Sequence, residues 1–191
     1  AFLTPSGYFG REYGTAHHMQ YTNQTIAANA LLIDGEGQPY RDVHAIGRIV
    51  DWGEKNGVSH VRADLTAAYP MLTRYFRTFR LAGRTITVTD ALEAEVPVSV
   101  TYNLHAVAKP ELAGECAAIS REVDGHRVTL TIRPLIGDLC DLTCTDRFAV
   151  DLNAGVPEEY RVTMPVQYYL SWRTAKKCAH TIVVRYEIGE A

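Results

Sequence analysis

The stretch Val98-Ser99-Val100-Thr101-Tyr102-Asn103-Leu104-His105-Ala106 alternates apolar and polar side chains without a break. Successive side chains on a strand point to opposite faces. Val98, Val100, Tyr102, Leu104 and Ala106 therefore share one apolar face, while Asn103 and His105 lie on the polar one, where they carry no assigned role. The same period recurs on both sides. Thr85 to Thr89 alternates strictly, Arg127 to Arg133 repeats the pattern, and Thr181 to Ile188 closes the chain with a strand more apolar at its start. Turn signals separate these runs: Gly35-Glu36-Gly37, Lys55-Asn56-Gly57, Ala82-Gly83-Arg84, Asp124-Gly125 and Asn153-Ala154-Gly155. Leu81 to Thr85 and Val123 to His126 read as hairpin connections, because Gly or Asp-Gly supplies the positive φ of a tight turn. Strands with one apolar face must stack it on another sheet. The expected fold is therefore all-β, an antiparallel two-sheet β-sandwich of roughly ten or more strands.

Helix signals are weak. A short helix is expected at most over Ala67 to Arg74, with Pro70 in a first turn. Ile26 to Ile33 reads as an apolar strand. Residues 1–191 show no internal repeat or dividing linker and read as a single sandwich domain.

Composition is that of a globular protein, 47% hydrophobic and 21% charged, which argues against disorder. No run of about 18 apolar residues occurs, so no membrane-spanning helix is expected. A net charge of −3 gives no bulk attraction to polyanions. No nucleic-acid partner is expected, and an acidic polymer would have to be held by locally placed Arg and Lys. The opening Ala1 to Tyr8 lacks a basic stretch followed by an apolar one and is already loop-like. We expect the chain to be a fragment of a longer polypeptide. Cys116, Cys140, Cys144 and Cys178 form no Cys-x-x-Cys pair. Cys140 and Cys144, at i and i+4 on a strand, lie about 13 Å apart, too far to bridge each other. Buried free thiols are expected, with a disulfide through Cys116 or Cys178 as the alternative. Trp52 precedes all four cysteines, which disfavours an immunoglobulin-type module.

The chemistry-bearing residues gather in the first 40 positions. Tyr13-Gly14-Thr15-Ala16-His17-His18-Met19-Gln20-Tyr21 leads into Thr22-Asn23-Gln24-Thr25 and then Ile26 to Gln38. On an extended segment adjacent histidines diverge, so at most one of His17 and His18 faces a given site. Asn29 interrupts an apolar run and needs a partner for its amide. Arg74 and Arg80 share one face of their strand and Arg77 takes the other.

Four segments, in order, resemble the heparinase II/III-like polysaccharide lyases. They are Tyr13 to His18 followed by Gln24 to Gln38, then Val58 to Tyr69, then Arg74 to Leu81 with Val88-Thr89-Asp90, and finally Leu104-His105. The resemblance covers at least residues 7–106. It implies the C-terminal β-sandwich of a two-part enzyme whose N-terminal α/α toroid is absent here. Such enzymes bind an acidic polysaccharide between the two parts and cleave it by β-elimination at uronic acids. The implied location is periplasmic or secreted. His17, His18 and Tyr13 are the catalytic candidates this suggests, and Tyr21, Asn29 and Arg74 the substrate-binding ones. The family's acid Tyr comes from the toroid, so the sandwich is expected to be inactive alone. A non-catalytic carbohydrate-binding or structural sandwich is the alternative reading. Many members hold a structural zinc through the His of an Ala-His-Asn element. Here that element reads Ala27-Ala28-Asn29, and alanine cannot ligate. No metal or other cofactor is expected at that position. Chelation followed by metal analysis is expected to find no tightly held zinc; stoichiometric zinc surviving the chelator would overturn this.

Overall fold

The computed structural model describes residues 1–190 and, among them, every side chain except those of Tyr8 and Phe9. Twelve strands form two antiparallel sheets. In chain order they are β1 (Leu31–Ile33), β2 (Arg48–Lys55), β3 (Val58–Asp64), β4 (Arg74–Ala82), β5 (Thr85–Val98), β6 (Val100–Ala106), β7 (Glu111–Ala113), β8 (Cys116–Val123), β9 (His126–Ile136), β10 (Cys140–Thr145), β11 (Tyr168–Arg173) and β12 (Lys177–Glu190). The small sheet has the order β1-β6-β11-β10, and the large one β2-β3-β4-β5-β12-β9-β8-β7.

The alternating run from Val98 to Ala106 crosses between the sheets. Val98 ends β5 in the large sheet and Val100 begins β6 in the small one. At the crossing, the backbone N and the Oγ of Ser99 both donate to Asp34 Oδ1, at 3.0 and 2.8 Å. Those bonds, with Lys176 3.0 Å away, hold the Asp34 carboxyl down at about 2. Val98, Val100, Tyr102, Leu104 and Ala106 all enter one apolar core, as the alternation requires. Facing them from the large sheet are Tyr75, Val88, Leu92, Ile119, Ile132, Ile182 and Val184.

Turn chemistry explains the hairpins. Asn56-Gly57 and Asp124-Gly125 each supply two successive positive φ values, 54° and 73° and then 50° and 80°. That geometry matches the right-handed twist of the flanking strands.

Local polar bonding overrides other expectations. Ile26 to Ile33 is not a continuous strand: Thr25–Ala27 is a 3-10 turn and only Leu31–Ile33 pairs with β6. The carboxamide of Asn29 takes the β6 backbone N–H of His105, at 2.8 Å, that a longer ladder would have used. The helix expected over 67–74 is only a 3-10 turn, Thr66–Ala68. Asp64 Oδ1 caps its start by accepting from Thr66 N and Oγ1, and Tyr69, preceding Pro70, is extended. The four cysteines are free, but Cys140, Cys144 and Cys178 are exposed and Cys116 half-buried, so the expectation of buried thiols is corrected.

One charged pair lies inside. Arg77 and Asp90 are directly opposite on β4 and β5. Arg77 Nε and a terminal N donate to the two Asp90 carboxylate oxygens at 2.6 and 3.0 Å, and Tyr75 OH donates to Oδ1 at 2.7 Å. Burial first, then the Asp90 charge, holds the Tyr75 phenol well above its usual range, so it remains a donor. Removing one partner of such a pair strands a buried charge. Arg77→Met is expected to cost ~3–5 kcal/mol in urea unfolding, and Arg77→Met with Asp90→Leu to recover much of the loss. Equal stability of the single variant and the wild type would contradict the pair's role.

Candidate functional site

The segment before β1 wraps the small sheet. Leu3 bridges to Ala106, Thr4 N donates to His105 O at 3.0 Å, and Val107 N donates to Phe2 O at 3.1 Å. The chain then proceeds through short turns and a single π-helical turn, His18–Thr22, in which Asn23 N donates to His18 O. The polar face of β6 is consequently buried: Thr101, Asn103 and His105 are 7%, 1% and 1% exposed.

Two layers of polar side chains result. In the buried layer, Ser6 Oγ donates to Gln167 Oε1 at 2.6 Å and Tyr21 OH donates to Ser6 Oγ at 2.9 Å. The Tyr21 oxygen also lies 3.4 Å from His105 Nε2. Asn29 Oδ1 stands 3.4 Å from His105 Nδ1, and the imidazole stacks on Tyr169, whose OH donates to Asn103 Oδ1 at 2.7 Å. His17 packs edge-on against Phe148 and beside Tyr21, with Nδ1 2.9 Å from the Val150 carbonyl oxygen. Among the described residues, His17 Nε2, Asn103 Nδ2 and Gln167 Nε2 are buried without a partner. Burial pushes the Tyr21 phenol up and the His105 imidazole down to about 4. At neutral pH the Tyr21 phenol is therefore protonated and the His105 imidazole uncharged.

The second layer meets solvent. Tyr13 is 72% exposed, and its ring centroid lies 5.0 Å from that of His18. Arg41 donates to the Tyr13 phenolic oxygen at 2.8 Å and lies over the Tyr40 ring. His18 Nδ1 lies 3.4 Å from the Gly14 backbone N and 3.3 Å from Asn23 Nδ2, while Asn23 also donates to Tyr40 OH at 3.2 Å. Arg41 has φ of 58°, a backbone conformation unusual for a bulky residue.

Of the residues singled out from sequence, Tyr13 and His18 come together. His17 and Tyr21 form the layer beneath, and Asn29 is tied to His105. Arg74 does not join them: it projects from the outer face of the large sheet and is paired with Glu93 at 3.0 Å. The two histidines do diverge, but because they sit on a helical turn rather than an extended segment. Asn23, Tyr40 and Arg41 escaped the sequence reading, since the loop after Gln38-Pro39 carries no periodicity that fixes where it folds back. Asn103 and His105, given no role there, are central to the buried layer.

A zinc ion at the Ala27-Ala28-Asn29 position does not fit these residues. Ala28 offers no donor atom, the Asn29 carboxamide oxygen already accepts the His105 N–H, and among the described residues no three His, Cys, Asp or Glu side chains cluster.

His105 also links the site to stability. A histidine held near 4 in the fold and at about 6.5 when unfolded binds its proton more readily in the unfolded chain between those values. Its contribution is complete above about pH 6.5 and is lost as pH falls toward 4, at most ~3 kcal/mol. Denaturant titrations at pH 7 and pH 4 should show a smaller loss for His105→Gln than for the wild type; equal losses would remove His105 as the cause.

No protein-family model matches this sequence, and no curated protein does. Solved structures do match in fold. Against the heparinase III BT4657 gene product, the TM-score is 0.73 at 9% identity, over 99% of this chain and 28% of that one. Heparan sulfate lyase HepC from Pedobacter heparinus gives 0.71 at 13%, over 100% and 29%. A further heparinase III structure gives 0.70 at 10%, over 97% and 27%. The chain thus spans less than a third of each structure it matches. This protein has a heparinase III-like β-sandwich fold.

Proposed function

We propose that this chain is the sandwich part of a polysaccharide lyase that cleaves uronic-acid-containing glycans by β-elimination. The observation that carries the reading is the exposed group Tyr13, His18 and Arg41, set in a fold shared with heparan sulfate lyase structures.

The reaction removes the C5 proton of a uronate. The electron pair forms the C4–C5 double bond as the C4–O bond breaks, and the departing oxygen takes a proton. Charge building on the C5 carboxylate must be neutralised, and a guanidinium suits this because its fork matches a carboxylate in plane. Arg41 meets that demand, and its contact with Tyr13 puts a phenolic oxygen beside the carboxylate and therefore near C5. His18 Nδ1 faces two N–H donors, so the neutral ring carries its proton on Nε2, which has no partner among the described residues. Tyr13 as base, with His18 donating toward the carboxylate or the departing oxygen, is the division of roles this geometry favours. Tyr21 and His17 are positioning residues below, since neither reaches solvent.

The group lies on one open wall. A cleft closed by a helical toroid outside this chain would supply the opposite wall and the second acid, and the location would be periplasmic or secreted with the polymer. The same openness supports the second reading, a carbohydrate-binding module without catalysis.

The deciding experiment follows absorbance of the unsaturated uronate on heparan sulfate, chondroitin, hyaluronan and alginate, for this chain alone and joined to a helical toroid domain. Activity is expected only in the joined protein. There, Tyr13→Phe and His18→Ala should each lower kcat about 10²-fold or more, and Arg41→Ala should lower kcat/KM at least as much. Activity of the 191-residue chain alone would put the chemistry within this sandwich, and silence of both proteins on every polymer would favour the binding module.

A further inference from the structure

On the opposite side of the sandwich, the outer face of the large sheet carries charges that pairing within the chain does not neutralise. The strand register aligns five side chains in one transverse row: His60 on β3 opposes Arg80 on β4, Arg80 opposes Thr87 on β5, Thr87 opposes Arg185 on β12, and Arg185 opposes Arg133 on β9. Their sequence neighbours Phe79, Val88, Val184, Tyr186 and Ile132 line the inner face, so the row faces outward. Arg80, Arg133 and Arg185 are exposed. Among the described residues none of the three has a hydrogen-bond or ion-pair partner, although Glu187 shares the face two residues beyond Arg185. His60 is held by Asp51 at 3.1 Å. Four strand spacings make the row about 19 Å long.

Such an arrangement works against the fold. Like charges directly opposite on neighbouring strands destabilise a sheet, and Arg185–Arg133 is such a pair. The β3–β4 end opens into a shallow groove of about 520 Å³ lined by Asp51, Lys55, His60, Arg62, Thr78 and Arg80. Arg62, a further cation reaching it, lies over Phe76 at 4.3 Å and stands opposite Asp51 in the β2–β3 register, while Asp51 itself bonds His60. A linear polymer with regularly spaced anionic groups satisfies this row better than any single small anion, because the cations are spread along a line rather than gathered round a point.

We propose that this row is a polyanion-binding strip for an anionic polysaccharide, separate from the Tyr13–His18–Arg41 group and on the other face of the sandwich. The assignment to polysaccharide rests on the proposed lyase reading, and the face itself agrees with it. The Phe76 ring on this face is covered by Arg62, which removes it as a stacking platform of the kind single-stranded nucleic acids use. Threonines separate and flank the arginines at Thr78, Thr87 and Thr89, offering hydroxyls to sugar oxygens. Holding a polymer here while its chain end or a bend reaches the other face raises its effective concentration at the reacting group.

The test is titration calorimetry of the 191-residue chain with heparan sulfate at several salt concentrations, with dextran as neutral control and duplex DNA as the competing polyanion. The wild type should bind heparan sulfate, lose affinity steeply with salt, and ignore dextran. Arg80→Gln/Arg133→Gln/Arg185→Gln should weaken binding at least about tenfold and flatten the salt dependence. The triple variant should melt no lower than the wild type, because it loses a like-charge pair, and heparan sulfate should raise the wild-type melting temperature but not the variant's. Unchanged affinity in a folded triple variant, or no binding by the wild type, would overturn the strip while leaving the elimination assay to judge the lyase reading. DNA bound as tightly as heparan sulfate would overturn its assignment to polysaccharide.

Discussion

The Arg77–Asp90 pair is the constraint around which this sandwich is arranged. A bidentate ion pair directly across β4 and β5, with Tyr75 adding a third bond, is satisfied in only one register. Shifting β4 by one residue would turn Arg77 outward and leave the fully buried Asp90 charge without its partner. That register fixes the inner row of the large sheet, where Tyr186 meets Tyr102 of the small sheet through a 2.7 Å hydrogen bond between their hydroxyls. Burial holds the Tyr102 phenol at about 12, so this contact stays protonated and polar-satisfied rather than charged. The same register sends Arg74 and Arg80 to the outer face. The interior pair and the exterior cationic row are thus two consequences of a single strand alignment.

A second dependency runs through β6. Central strands of a sandwich normally bury one face, yet β6 buries both, because the N-terminal segment covers the side that alternation marks as polar. Covering Asn103 and His105 is costly unless their polar atoms find partners, and Tyr21, Asn29 and Tyr169 provide them for His105 and for the Asn103 carboxamide oxygen. The buried layer anchors the π-helical turn that carries His17 inward and His18 outward. An exposed pair of Tyr13 and His18 can keep its geometry only because the next side chains along the turn, His17 and Tyr21, are fixed in the layer below.

The molecule then presents two different surfaces. Over the small sheet lies a compact group with a guanidinium, a phenol and an imidazole in contact. Across the large sheet lies an extended cationic row. A net charge of −3 does not prevent this, since binding of a polyanion depends on where the arginines stand rather than on their total.

By itself the sequence determined the all-β sandwich, most of the strands and the hairpins. Alternation with period two and Asn-Gly or Asp-Gly turns are local properties, written within a few residues of where they act. It also named Tyr13 and His18, because unusual polar residues concentrated in one short stretch. Only the tertiary structure decided that Arg41 joins them, that Ile26 to Ala30 leaves the ladder, that Asn103 and His105 are enclosed, and that Arg80, Arg185 and Arg133 stand in line. Each of these depends on partners far apart in the chain, as far as the 76 residues between Asn29 and His105. No local pattern encodes such a separation; it is set when the two sheets pack and a single strand register satisfies the charges buried within the large one.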